Sequence, residues 1–212
     1  MSKGGHVDNK RDLAESLNRN VHERAMRYIV PSYTRAFSMD FTNLTDALFL
    51  ELIDLYDAEQ QLVNSLPAMG KAVSSPALKS EIDRHYQLTK VHLTRLDEVF
   101  TILGNKPQLA TCEVMRCLVK DAEGVFSTSG VSAVKDAVLL GVINRMDHYE
   151  IAGYKTAWAF AEELALDEVA ELLQATLNEE NSAVQKIDTL STGAVFTAGP
   201  GKESEQPWQL YR

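Results

Sequence analysis

An all-α fold, a four-helix bundle of two antiparallel hairpins joined by a long crossover, is what this sequence predicts on three observations. Four long stretches repeat their apolar residues with the 4,3 spacing of a helix that buries one face. Glycine and proline mark the breaks between them. The first and last pairs are joined by short turns, whereas a connection of more than twenty residues separates the pairs. The 212 residues, 45% apolar and 24% charged, have ordinary globular composition, which excludes collagen-like and wholly disordered chains. A single domain of this length buries roughly two thirds of its unfolded surface and needs no staples.

Residues 10–30 carry a helical stripe through Leu13, Leu17, Ala25 and Ile29 that Pro31 stops, and so read as a helical arm. From Leu44 to Val73 the stripe is Leu48, Leu52, Leu55, Leu62, Leu66, Met69 and Val73, with Glu59 where a core residue belongs. Pro67 lies inside it and should cost an internal hydrogen bond or kink the last turns. The second helix opens on Ser75 as N-cap and Pro76 at its first position. Its stripe runs Leu78, Ile82, His85, Thr89, His92, Leu96, Val99 and Leu103, and Gly104 stops it. The crossover holds a turn at Asn105–Pro107 and a short helix over 112–127. The third long helix, about 131–165, is apolar nearly all round (Val138, Leu139, Leu140, Val142, Ile143, Met146, Trp158, Phe160), the pattern of a buried helix. One face of it reads Leu140, Ile143, Asp147, Glu150, Tyr154, Ala157, Ala161 and Leu164. The fourth, about 168–191, reads Val169, Leu173, Thr176, Glu180, Ala183, Ile187 and Leu190. The chain thus divides into an N-terminal arm (1–43), a bundle (44–191) and an extended tail (192–212) ending in Pro207-Trp208-Gln209-Leu210-Tyr211-Arg212. Two hairpins with one long crossover are the connectivity of a ferritin-like bundle.

The formal charge of −9 and pI near 5.1 argue against broad duplex-DNA or anionic-membrane binding, which need clustered Lys and Arg. Residues 1–40 carry seven basic and five acidic side chains, a net +2, leaving −11 on the remainder, so this arm could meet an acidic partner. Cys112 and Cys117 form neither a CxxC pair nor a zinc site and read as two buried thiols in a reducing compartment. With no leader-like apolar segment at the start and no run of membrane-spanning length, the expectation is a soluble, cytoplasmic protein.

Polar residues inside the stripes carry the chemistry. Glu59 lies about fifteen residues before the first turn and His92 about seventeen after it, so at ~1.5 Å per residue both stand at a similar depth. Glu150 and Glu180 flank the second turn in the same way. Three carboxylates and an imidazole then converge at mid-bundle, a hard donor set suited to iron or manganese. Protonation, His85 and His92, or Arg145 offer other ways to neutralise the carboxylates. His85 is a further ligand or a core histidine bonded to a neighbour; Asp147 is a ligand or the partner of Arg145. Glu179 reads as solvated.

The segments LYDAEQQLVNSLPAMGKA (55–72), RLDEVFTILGNKP (95–107), Cys112-Glu-Val-Met, DHYEIAGYKTAWAFAEEL (147–164) and ELLQATLNEE (171–180) together resemble the DUF892, or YciE/YciF-like, family of ferritin-like proteins over about 44–190. The resemblance implies a ferritin-like bundle, usually dimeric, associated with bacterial stress responses, with Glu59 and Glu150 at retained positions of a candidate di-metal carboxylate centre. Gln87 and Leu88 stand where the family has carboxylates, Val184 where an Asp is common, and Arg116 where a Glu is usual. These departures lead to an expectation of a partly degenerate site holding one iron or manganese ion or none, with oxidation or peroxide handling as its activity. The alternative is a non-catalytic homodimeric scaffold that binds partners through residues 1–43 and 197–212.

Overall fold

The structure, a computed structural model, describes residues 42–107 and 110–192. Nearly all of the expected arm and of the expected tail lie outside the described residues. Among the described residues five helices follow in order: α1 Leu44–Ala72, α2 Pro76–Ile102, α3 Glu113–Ser127, α4 Ser132–Glu163 and α5 Asp167–Thr192. No strand occurs among the described residues.

Local sequence sets the ends. The Asn43 side chain caps α1 by accepting the Asp46 N–H, and the Ser75 hydroxyl caps α2 by accepting the Leu78 N–H, with Pro76 following. Gly104 ends α2 in the left-handed region at φ 67°, where Asn105 N–H reaches back to the Phe100 carbonyl and Gly104 N–H to that of Thr101. The turn after α4 repeats this pattern with Ala165 at φ 53°, a position that favours glycine. α1 runs on through Pro67 to Ala72, losing the one N–H the proline lacks.

Helices α1 and α2 form one antiparallel hairpin, α4 and α5 the other. Ser74, in the first turn, donates its N–H and hydroxyl to Asp136 in the first turns of α4, and the Ser75 N–H joins them at 2.8 Å. The end of α1 therefore meets the start of α4, and those two helices run antiparallel. The crossover must return along the length of the bundle, and α3 lies on α1 and α4 as it does so. α4 is not buried all round: Val134 and Val138 are 58% and 50% exposed, and Val131 just before it 69%. Only one stripe of α4 faces the other three long helices, and its apolar remainder covers α3 or meets solvent.

The stripes pack into two apolar clusters. One holds Leu62, Leu66, Met69, Leu78, Ile82, Leu140 and Ile187, the other Leu48, Leu52, Leu96, Phe100, Ala157 and Leu173. The polar stripe residues fall between them.

Candidate metal centre

All four residues expected at mid-bundle are buried: Glu59, His92 and Glu150 are fully enclosed and Glu180 is 1% exposed. His85 and Asp147 join them at 3% and 0%. The helical repeat explains this, because each stands in the stripe that its helix turns toward the bundle axis.

These side chains form two donor sets that share Glu180. His85, Asp147, Glu150 and Glu180 offer ligand atoms within 4.8 Å of one another, as do Glu59, His92 and Glu180. In the first, His85 Nδ1 stands 3.4 Å from Asp147 Oδ1 and Nε2 4.0 Å from Glu150 Oε2. In the second, His92 Nδ1 lies 3.2 Å from both Glu59 Oε1 and Glu180 Oε1 without alignment for a hydrogen bond to either. The Tyr154 hydroxyl donates to Glu59 Oε1 at 2.7 Å, and its ring meets His92 edge-on. Both oxygens of Asp147 and of Glu150, one each of Glu59 and Glu180, and His85 Nε2 have no hydrogen-bond partner.

Burial governs the protonation of this layer. It pushes Asp147 up to about 7 against the pull of His85, and raises Glu59 although His92 opposes it. Glu150 is held well above the carboxylate range, first by burial and then by the charges of Glu59 and Glu180. Burial would lower His92, but the Glu59 and Glu180 carboxylates override it and lift the imidazole to about 10. The far side of His92 is tied down separately. Nε2 lies 3.0 Å from Glu179 Oε2, and Arg95 grips both Glu179 oxygens at 2.5 and 2.9 Å. Arg95 thereby holds Glu179 below the usual carboxylate range. With Nε2–H donated to Glu179, Nδ1 is the nitrogen left to face the donor set, the arrangement that orients a metal-binding histidine.

Several readings of the sequence need correction. Glu179 is not simply solvated, since it joins Arg95 to His92 at one-third exposure. Of the two roles left open for Asp147, the structure supports the one inside the bundle, where it faces His85, while Arg145 is exposed. Cys112 is buried but Cys117 is exposed. The departures from the family pattern lie off the layer: Gln87 is exposed, Leu88 and Val184 are half-buried outside both donor sets, and Arg116 pairs with Glu113 on the surface of α3. Sequence reasoning missed Tyr154 and Arg95 as supports. The signals were the tyrosine in the same 4,3 face as Glu150 and a cation one helical turn after His92.

Comparison with known proteins agrees with this architecture. A family model described as a domain of unknown function, DUF892, matches residues 43–198. The protein YciF of Escherichia coli strain K12 is 31% identical over 158 residues, covering 74% of this chain and 95% of that protein. The crystal structure of the E. coli stress protein YciF has a TM-score of 0.71 at 29% identity, covering 74% of this chain and 99% of the other. YcfI of Rhodopseudomonas palustris gives 0.69 at 36% identity, with 72% and 98% covered. With the family model spanning most of the chain and a relative 31% identical along nearly its whole length, the chain belongs to the DUF892 family.

Proposed function

We propose that this protein is a metal-binding member of its family, holding iron or manganese between its four long helices in a stress role like that named for its relative YciF. The observation that carries this reading is the buried layer of four carboxylates and two imidazoles, in which six of the eight carboxylate oxygens lack a donor. Ionised carboxylates buried without partners are costly, and cations would remove the cost. The donor chemistry fits hard or borderline divalent ions. His85, Asp147, Glu150 and Glu180 would hold one ion; Glu59, His92 and Glu180 would hold a second, so capacity is about two ions per chain. Such ions supply redox chemistry toward dioxygen or peroxide. The chain's own part is to orient His92 through Glu179 and Arg95, to fix Glu59 through Tyr154, and to exclude water with the two apolar clusters.

The test is elemental analysis of the full chain purified without chelator, followed by anaerobic titration with ferrous and manganous salts. Glu180→Ala, which touches both donor sets, should lose most of the bound metal, and Cys117→Ser should lose none. Absence of bound metal after growth with added iron and manganese, together with no binding in either titration, would refute the reading.

A second reading, a homodimeric scaffold, draws on the exposed Val131, just before α4, and Val134 and Val138 in its first turns. Light scattering of Val134→Ser/Val138→Ser beside the parent chain separates the two. A scaffold loses its assembly size, whereas metal content is untouched.

A further inference from the structure

Beside the donor layer stands a cluster of reactive side chains that metal binding does not use. The Tyr149 hydroxyl on α4 donates to Asp54 Oδ2 on α1. Cys112 Sγ lies 3.1 Å from that hydroxyl and 3.3 Å from the same carboxylate oxygen. Cys112 is 1% exposed and sits at the N-cap of α3, with its own N–H bound to Asp57 at 2.7 Å. Helix capping alone favours Ser, Thr, Asp or Asn at such a position, and packing alone would be met by Phe at 149. Neither accounts for a phenol, a thiol and a carboxylate oxygen brought mutually within hydrogen-bonding reach.

We propose that Tyr149, Asp54 and Cys112 form a radical sink next to the metal layer. In the first step Tyr149 gives one electron to a one-electron oxidant as its O–H bond breaks, and the proton passes to Asp54 Oδ2. In the second step the Cys112 S–H bond breaks and its hydrogen atom restores the Tyr149 O–H, leaving the unpaired electron on sulfur and the proton on Asp54. A carboxylate already aligned on the phenol lets electron and proton leave together and avoids the high-energy tyrosine radical cation. Burial pushes the Cys112 thiol up to about 11, so near neutral pH the sulfur keeps the hydrogen it must donate. The oxidant class is the peroxide-derived radical that ferrous iron generates. That physiological source rests on the proposed metal reading; the geometry of the sink does not.

The test uses the metal-free full chain, oxidised by azide radicals in pulse radiolysis while tyrosyl absorbance is followed. The parent chain should show a fast-decaying tyrosyl fraction that slows in heavy water. Tyr149→Phe should remove that fraction, Cys112→Ser should prolong it several-fold, and Asp54→Asn should lower its yield. Circular dichroism melts identify any variant that fails to fold; the Cys112→Ser variant, which keeps a capping oxygen, and the isotope effect on the parent then decide. An unchanged decay in Cys112→Ser with no slowing of the parent in heavy water overturns the sink and leaves a purely structural clamp of α3. Metal content, measured on separate preparations, distinguishes this failure from failure of the metal site.

Discussion

The donor layer depends on residues that lie outside both donor sets. Glu179 has one oxygen on His92 and both on Arg95, so it fixes the imidazole tautomer from a partly exposed position. Glu179→Gln keeps an acceptor for His92 but loses the charge and the two-point grip of Arg95. Metal affinity should fall about 10- to 100-fold, read by competition with a coloured chelator, with little change in melting temperature. Equal affinity would mean that His92 is oriented by packing alone. A different kind of residue-scale effect is stored at Ala165, whose φ of 53° is strained for any side chain. Ala165→Gly should raise stability by about 1 kcal/mol in urea unfolding, the relief of the left-handed strain exceeding the added freedom of the unfolded glycine.

At the scale of elements, α1 and α4 approach closely because Gly153 has no side chain. A Cβ there would stand 2.8 Å from Leu55 Cδ2, and Leu55 is itself buried. Gly153→Ala should therefore cost about 1–3 kcal/mol by overpacking, even though alanine is the better helix former, and the loss would appear as a lower urea midpoint. A gain in stability would show that Leu55 has a second rotamer free to accept the methyl. The same pair of helices carries Asp54, Glu59, Tyr149 and Glu150, so their spacing governs both the donor layer and the cluster beside it. α3 adds the remaining support: its cap residue Cys112 is tied by its backbone N–H to Asp57 and by its carbonyl to the Gln61 amide, which docks the crossover onto α1.

For the whole molecule, the enclosed carboxylates link folding to pH. Asp147 is raised from 3.8 to about 7, and Glu59 and Glu150 are raised too, so the folded metal-free chain binds protons that the unfolded chain releases. Their stabilisation is complete below the ordinary carboxylate range; the Asp147 share is lost as pH rises through about 7, and the shares of Glu59 and Glu150 as pH rises through their own raised values. His92, raised from 6.5 to about 10, acts in the same direction at higher pH. Glu179, held low by Arg95, opposes them only in the acid range. Calorimetric melting temperatures of the metal-free protein should fall between about pH 5 and pH 8, and iron or manganese should reverse the slope, because metal competes with these protons. A rise across that window without metal would show carboxylates already ionised and paired. Much of this design was legible before any coordinates. The 4,3 stripes placed four long helices to within a few residues, with the turn and glycine punctuation placing the crossover helix, and the stripes put Glu59, His92, Glu150 and Glu180 on inward faces, because helical periodicity is local and each side chain's face follows from its own position in the repeat. Which atoms meet was not legible in the same way. The sharing of Glu180, the donor set with His85 and Asp147, the Arg95–Glu179 support and the Tyr149–Asp54–Cys112 cluster all join residues from different helices. Their distances depend on how four helices rotate and slide against one another, and that is set by packing across the whole core rather than by any one stretch of chain.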